Sequence, residues 1–142
     1  MFVETYLFFD GQCAEAMAHY QRVLGGDLQV MRYQDAPPCA QCPNMGADTQ
    51  DRVMHAILKF PDGALMASDV PAGDTYEGIQ GVGVTLNFPG LDDARRTFDT
   101  LADGGSVQMP FGPTFWAEGF GMLRDRFGTP WLINGPMIMP NV

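Results

Sequence analysis

The sequence predicts an α+β fold in which two β-α-β-β-β modules form curved mixed sheets around a cavity, with the helices outside. Three observations lead there. The order strand, helix, strand, strand, strand runs twice along the 142 residues. Gly and Pro clusters fall between the elements, where turns need them. Finally, the longer strands are apolar on one side and mixed on the other, the pattern of a half-covered sheet.

Residues 4–9 are β-branched and aromatic and predict the first strand, which Asp10-Gly11 breaks. From Gln12 the period changes. Cys13, Ala16, Met17, Tyr20, Val23 and Leu24 recur at the spacing of one apolar helix face, and Gly25-Gly26 ends that helix. Residues 28–33 predict a second strand. Residues 35–51, with three prolines and two cysteines, form the loosest stretch. Two strands follow, 53–60 and 64–68, joined by a turn at Pro61-Asp62-Gly63.

Residues 71–81 carry Gly73, Gly78 and Gly81 and read as a linker, after which the order restarts. Residues 82–88 predict a strand, and Leu91, Ala94, Phe98 and Leu101 mark a helix ending near Gly104-Gly105. A short strand at 106–109 and a loop at 110–118 lead to a closing hairpin with its turn at Arg126, Phe127, Gly128 and Thr129. Local echoes accompany the repeat: Tyr20…Leu24-Gly25 against Phe98…Leu101…Gly104, and Lys59-Phe60-Pro61-Asp62-Gly63 against Arg126-Phe127-Gly128. One domain is therefore expected: module 1 over about 3–70, the linker over about 71–81, module 2 over about 82–135 and a tail at 136–142.

The strand faces locate a site. Val82, Val84, Leu86 and Phe88 alternate with Gly83, Thr85 and Asn87; Met54, Ala56, Leu58 and Phe60 alternate with a set that includes His55 and Lys59. The apolar sides should pack on the helices. His55, Thr85 and Asn87 are then left facing a half-polar concavity of the kind that binds small molecules.

Charge excludes several function classes. Eight basic against seventeen acidic residues give a net charge of −9, which disfavours nucleic acid and anionic membrane surfaces. No apolar run approaches the roughly 18 residues of a membrane span. The N-terminus lacks the basic and long apolar regions of a signal peptide, so a cytoplasmic protein is expected. Three cysteines make no disulfide framework. Cys13 falls on the helix's apolar face, where a buried thiol is expected. Cys39 and Cys42 have C-x-x-C spacing, but Pro37, Pro38 and Pro43 place them in an irregular loop without two further zinc ligands.

The chain resembles the vicinal oxygen chelate superfamily, which includes glyoxalase I, bleomycin-resistance proteins and extradiol dioxygenases. It is more similar to the PhnB-like branch, often labelled "3-demethylubiquinone-9 3-methyltransferase-like". The resemblance rests on Tyr6-Leu7-Phe8-Phe9-Asp10-Gly11-Gln12-Cys13-Ala14-Glu15-Ala16, on Tyr20…Leu24-Gly25 and on Met66-Ala67-Ser68-Asp69. It rests further on Phe115-Trp116-Ala117-Glu118-Gly119-Phe120-Gly121 through Asp125-Arg126-Phe127-Gly128-Thr129-Pro130-Trp131. It implies paired modules and a homodimer. Methyl transfer is not expected, because no Gly-rich loop follows a first strand in the manner of an S-adenosylmethionine site.

Carried across by motif, the family's metal-ligand positions fall near Thr5, His55, Gly83 (or Val82) and Leu132. Only His55 among them is a ligand type, so no metal and no other cofactor is expected. The candidate ligand-binding residues are His55, Thr85, Asn87, Phe115, Trp116 and Trp131. The aromatics are suited to stacking on a flat ligand. His55 and Glu118 are the candidate catalytic pair, a carboxylate orienting an imidazole. Asp125 flanks the same region, and His19 is expected to face solvent. Three functions stand as expectations: metal-free binding of a small, partly aromatic molecule, which is preferred; an enzyme using His55 as general base; or a redox or metal sensor through Cys39 and Cys42. Met137, Met139 and Pro140 form a tail that either docks on a partner subunit or frays.

Overall fold

The computed structural model describes residues 1–39 and 45–139. The chain is α+β and contains two compact units, Met1–Gly78 and Ile79–Val142. In the first, β1 (Thr5–Phe9), α1 (Cys13–Leu24), β2 (Asp27–Arg32), a 3₁₀ turn (Tyr33–Asp35), α2 (Ala47–Gln50), β3 (Val53–Phe60) and β4 (Gly63–Asp69) follow one another. In the second the order is β5 (Val84–Asn87), α3 (Leu91–Ala102), β6 (Ser106–Gly112), β7 (Phe120–Arg124) and β8 (Pro130–Asn134).

Both sheets have the same topology. The strand orders are β1-β4-β3-β2 and β5-β8-β7-β6, with the first pair parallel and the others antiparallel. The first module thus opens with a parallel crossover through α1, and the second repeats it through α3. Repetition in the order of elements is therefore repetition of the fold itself.

Each helix covers one face of its own sheet. In the first unit Cys13, Ala16, Met17 and Tyr20 of α1 are buried together with Leu7, Phe9, Ala56, Leu58, Leu65 and Ala67. In the second, Ala94, Phe98 and Leu101 of α3 meet a layer that includes Leu123, Trp131 and Ile133. Close approach is possible there because Gly121 has no side chain. A Cβ at that position would come within 2.5 Å of the Phe98 ring.

Several boundaries differ from those read in the sequence. The fifth strand begins at Val84, and Val82 is 65% exposed rather than part of an apolar face. β6 runs on to Gly112, three residues past the expected end, despite Pro110. This is an edge strand with register shifts against β7, the place where a missing N–H is tolerated. The loose stretch contains one short helical turn, α2, unannounced by periodicity because it is only one turn long. Cys39 is exposed, and Cys42 lies outside the described residues.

The first unit gathers three acids whose neutral forms are favoured. Burial, reinforced by the Asp69 charge, pushes the Cys13 thiol well above its ordinary range. Burial likewise raises Tyr33 and Tyr76, with Asp69 among the contributing charges in both cases. The native state therefore holds these protons more tightly than the unfolded chain. Their contribution to stability is complete below the ordinary thiol and phenol values of about 8.5 and 10, and is lost as pH rises past them. Urea midpoints measured from pH 7 to 11 should be level at first and then fall. Combined Cys13→Ala and Tyr33→Phe replacement should flatten the decline; an equally steep decline in that variant would show that these groups are not its source.

Candidate functional site

The side of the first sheet turned away from α1 carries the predicted histidine. Strand alternation and register put Tyr6 and Phe8 of β1, Met66 and Ser68 of β4, and His55 and Ile57 of β3 on this side. Tyr6 is 38% and Phe8 53% exposed, a large aromatic surface for residues inside a sheet. The Tyr6 hydroxyl lies 3.2 Å from His55 Nδ1, and the two rings stack at 5.8 Å between centroids. The Tyr6 and Phe8 rings are 5.1 Å apart. The group that orients the imidazole is thus a phenol. Sequence reasoning looked for a carboxylate, and a contact between residues 6 and 55 leaves no local signal.

The same side leads to a cavity of about 500 Å³ at the β3–β4 hairpin end of the sheet, lined in part by Phe2, Glu4, Ile57, Lys59 and Phe60. None of the sequence-predicted site residues lines it. It is nevertheless continuous in pattern with them, because Ile57 and Lys59 follow His55 at two-residue steps on one strand.

In the second unit the corresponding side of the sheet carries Thr85 and Asn87, both exposed, with Leu132 and Asn134 opposite them on β8. Trp116 is half-buried. Its indole N–H donates to Asn134 Oδ1 at 3.4 Å, and the Asn134 amide N–H donates to Asn87 Oδ1 at 2.9 Å. Phe115, 72% exposed, packs edge-on to Trp116 at 4.7 Å, and Trp116 packs edge-on to Phe120 at 5.2 Å. Asn134 was not among the residues the sequence singled out, since a polar residue near the end of a closing strand has no distinguishing pattern.

The loop that bears Trp116 is fastened by the chain that follows β8. Ile138 and Met139 N–H donate to the Trp116 carbonyl at 2.7 and 3.1 Å, Glu118 N–H to Pro136, and Gly135 N–H to Gly119. The described part of the tail is therefore tied to its own unit through residue 139. Glu118 itself is exposed. It and His55 belong to different units.

Trp131 has a different position from its predicted partners. It lies on the helix-covered side of β8, is fully buried, and donates its indole N–H to Asp125 Oδ2 at 2.8 Å. Asp125 Oδ1 accepts from Phe127 and Thr129 N–H at 2.9 and 3.0 Å, closing the β7–β8 turn. Gly128 occupies that turn with φ +92°, a conformation in which a Cβ would be strained. Both residues are accounted for by the hairpin, and Trp131 offers no surface to a ligand. His19 is half-buried beside Tyr20 rather than fully in solvent.

The positions that the family resemblance assigns to metal ligands do not fit one. Thr5 shares the α1-facing side with Leu7 and Phe9, opposite to His55. At Gly83, an added Cβ would meet Leu132 Cδ1 at 2.3 Å, and neither residue has a side-chain donor atom to offer a metal. Among the described residues, no three His, Cys, Asp or Glu side chains converge in a metal-binding arrangement. His55 alone supplies one donor of the three or four required.

Comparison with known proteins identifies the family. The chain belongs to the glyoxalase/bleomycin resistance protein/dioxygenase superfamily, whose profile matches residues 3–133. It is 35% identical over 140 residues to Protein YjdN of Escherichia coli (strain K12), covering 93% of each. Among solved structures, protein PA1353 from Pseudomonas aeruginosa is 46% identical with a TM-score of 0.86, over 95% of this chain and 97% of that one. A PhnB protein from Bacillus cereus is similar in fold, with a TM-score of 0.73 at 20% identity over 95% of this chain and 99% of that one. The PhnB-like resemblance read from the sequence has its counterpart in that fold. No helix among the described residues is long and apolar enough to cross a membrane.

Proposed function

We propose that this PhnB-like chain is a metal-independent binding protein for a small, partly aromatic molecule, working as a cytoplasmic homodimer. The observation that carries the reading is the uncovered side of each sheet, where exposed aromatic rings stand beside hydrogen-bonding groups. Tyr6, Phe8 and His55 form one such set; Phe115, Trp116 and Asn87 form the other. Aromatic area supplies affinity and the few polar groups supply orientation, the usual division in small-molecule sites. Metal independence is supported by the donor set and by Leu132 beside Gly83. Methyl transfer finds no support in the Gly-poor Asp10-Gly11 turn.

Chelator-treated protein should be screened against planar aromatic compounds by thermal shift. A ligand at about 100 times its Kd stabilises by about 2.7 kcal/mol, which for a chain of this size corresponds to roughly 5–10 °C. His55→Ala or Trp116→Ala should reduce the shift without changing the fold. If shifts appear only after a divalent metal is added, metal independence is wrong.

One observation favours a second reading, an enzyme with His55 as general base. The Tyr6 hydroxyl engages Nδ1, which leaves Nε2 as the ring's other functional nitrogen. In that reading Glu118 is a further acid–base group. Turnover that is abolished in His55→Ala and sharply reduced in Tyr6→Phe, with folding retained, would replace the binding reading by the enzymatic one.

A further inference from the structure

We propose that the second unit presents a hydrogen-bond donor, the side-chain NH2 of Asn87, to its ligand. Trp116 and Asn134 impose this polarity, so the ligand must carry an acceptor oxygen, as a carbonyl or carboxylate, beside a flat ring. The inference rests on the ligand-binding reading above and adds the chemistry of the recognised group.

The polarity follows from one residue that has no choice. An indole N–H is a donor only, whereas either end of an asparagine amide can face a neighbour. Trp116 Nε1 reaches Asn134 at 3.4 Å, so the oxygen of Asn134 must face it. The Asn134 NH2 group is then turned toward Asn87, where it donates at 2.9 Å. That bond in turn holds the Asn87 oxygen inward and leaves its NH2 as the outward group. Asn134 is 9% exposed and cannot readily exchange these partners for water, which keeps the chain of two bonds in one direction.

The surroundings favour a ligand that exploits this donor. Asn87 is exposed on β5, so its amide is accessible. The Trp116 ring is held from two sides, by Phe115 and Phe120, and its carbonyl by the Ile138 and Met139 N–H groups. A donor whose direction is fixed before binding, next to a fixed aromatic surface, discriminates more sharply than a mobile one. A ligand offering a donor here would confront the Asn87 NH2 with a second N–H or O–H. Leaving such groups unpaired in a contact is the source of strong rejection.

The test uses the intact chain labelled with 15N, following the Trp116 indole and the two asparagine NH2 resonances by NMR. Without ligand, the Asn134 NH2 protons should exchange slowly with water and those of Asn87 rapidly. Trp116→Phe should remove the protection at Asn134. Titration would then compare 2-acetylnaphthalene, 2-naphthoate and 2-isopropenylnaphthalene, the last having a CH2 in place of the carbonyl oxygen. The acetyl compound should bind at least tenfold more tightly than the isopropenyl one, with the Asn87 NH2 shifting on binding. Asn87→Asp should abolish that preference. The naphthoate arm separates a neutral from an anionic acceptor. Equal affinity for acetyl and isopropenyl compounds would overturn the donor assignment while leaving the ligand site standing. Failure of all three probes to move the Trp116 resonance would overturn both. Protection at Asn87 rather than Asn134 would overturn the assigned polarity without reference to any ligand.

Discussion

Asp125→Ala is expected to destabilise the protein by about 3–5 kcal/mol, a large part of the 5–15 kcal/mol typical of a folded domain. The Asp125 carboxylate is 4% exposed and accepts from Phe127 N–H, Thr129 N–H and the Trp131 indole. Bonds to a charged acceptor contribute about 1.5–3 kcal/mol each, and removing the acceptor leaves three donors in a site closed to water. Their sum overshoots because the turn can relax and admit solvent, hence the lower figure. Asp125→Asn should fall between, since it retains two oxygen-directed bonds only by turning its NH2 toward the indole N–H. Urea unfolding measures the loss, and a red shift of tryptophan emission at low urea, read in a Trp116→Phe background that leaves Trp131 as the one indole, would place it at Trp131. A loss below about 1 kcal/mol in the alanine variant would mean that the turn is held by its backbone bonds alone.

Asp69→Ala is expected to have an effect of similar size in the first unit, about 3–5 kcal/mol, for a related reason. The carboxylate is 2% exposed and ties two segments to its own strand: Gly11 and Cys13 N–H donate to Oδ1 at 2.8 and 3.0 Å, and Val53 N–H to Oδ2 at 2.9 Å. It thus secures the entry to α1 and the first residue of β3 at the end of β4. Its charge also helps to hold Cys13, Tyr33 and Tyr76 in their neutral forms, after the larger effect of burial. The variant should therefore pair a lower urea midpoint with faster reaction of the Cys13 thiol toward a disulfide reagent. An unchanged midpoint would sink the first expectation; unchanged thiol reactivity in a destabilised variant would sink the second.

These two residues also show where the sequence was legible. Periodicity of 3.6 identified α1 and α3 to within a residue or two, because both are amphipathic over three turns. Period-two alternation placed Ala56 and Leu58 on the covered side and His55 on the other, and β3 has its predicted bounds. Alternation alone could not say that Val82 stands outside the fifth strand, since an exposed valine and a buried one look the same in a pattern. Trp131 was misplaced for a subtler reason. Aromatic residues in a family motif suggest a ligand surface, but its side of β8 is fixed by pairing with Leu123 and by an acid six residues earlier. The partners Tyr6–His55 and Asn87–Asn134 are separated by more than forty residues, and only the sheet register brings them together.

The contact between Leu132 and Gly83 has a consequence for how chains of this kind can change. A side chain introduced at 83 would displace the Leu132 methyl group, the end of a flexible side chain that a change of rotamer can move aside. A donor side chain introduced at 83 would therefore have the Leu132 terminus as its direct neighbour. Residues 83 and 132 are thus coupled in space: what replaces the glycine sets where the leucine end must go.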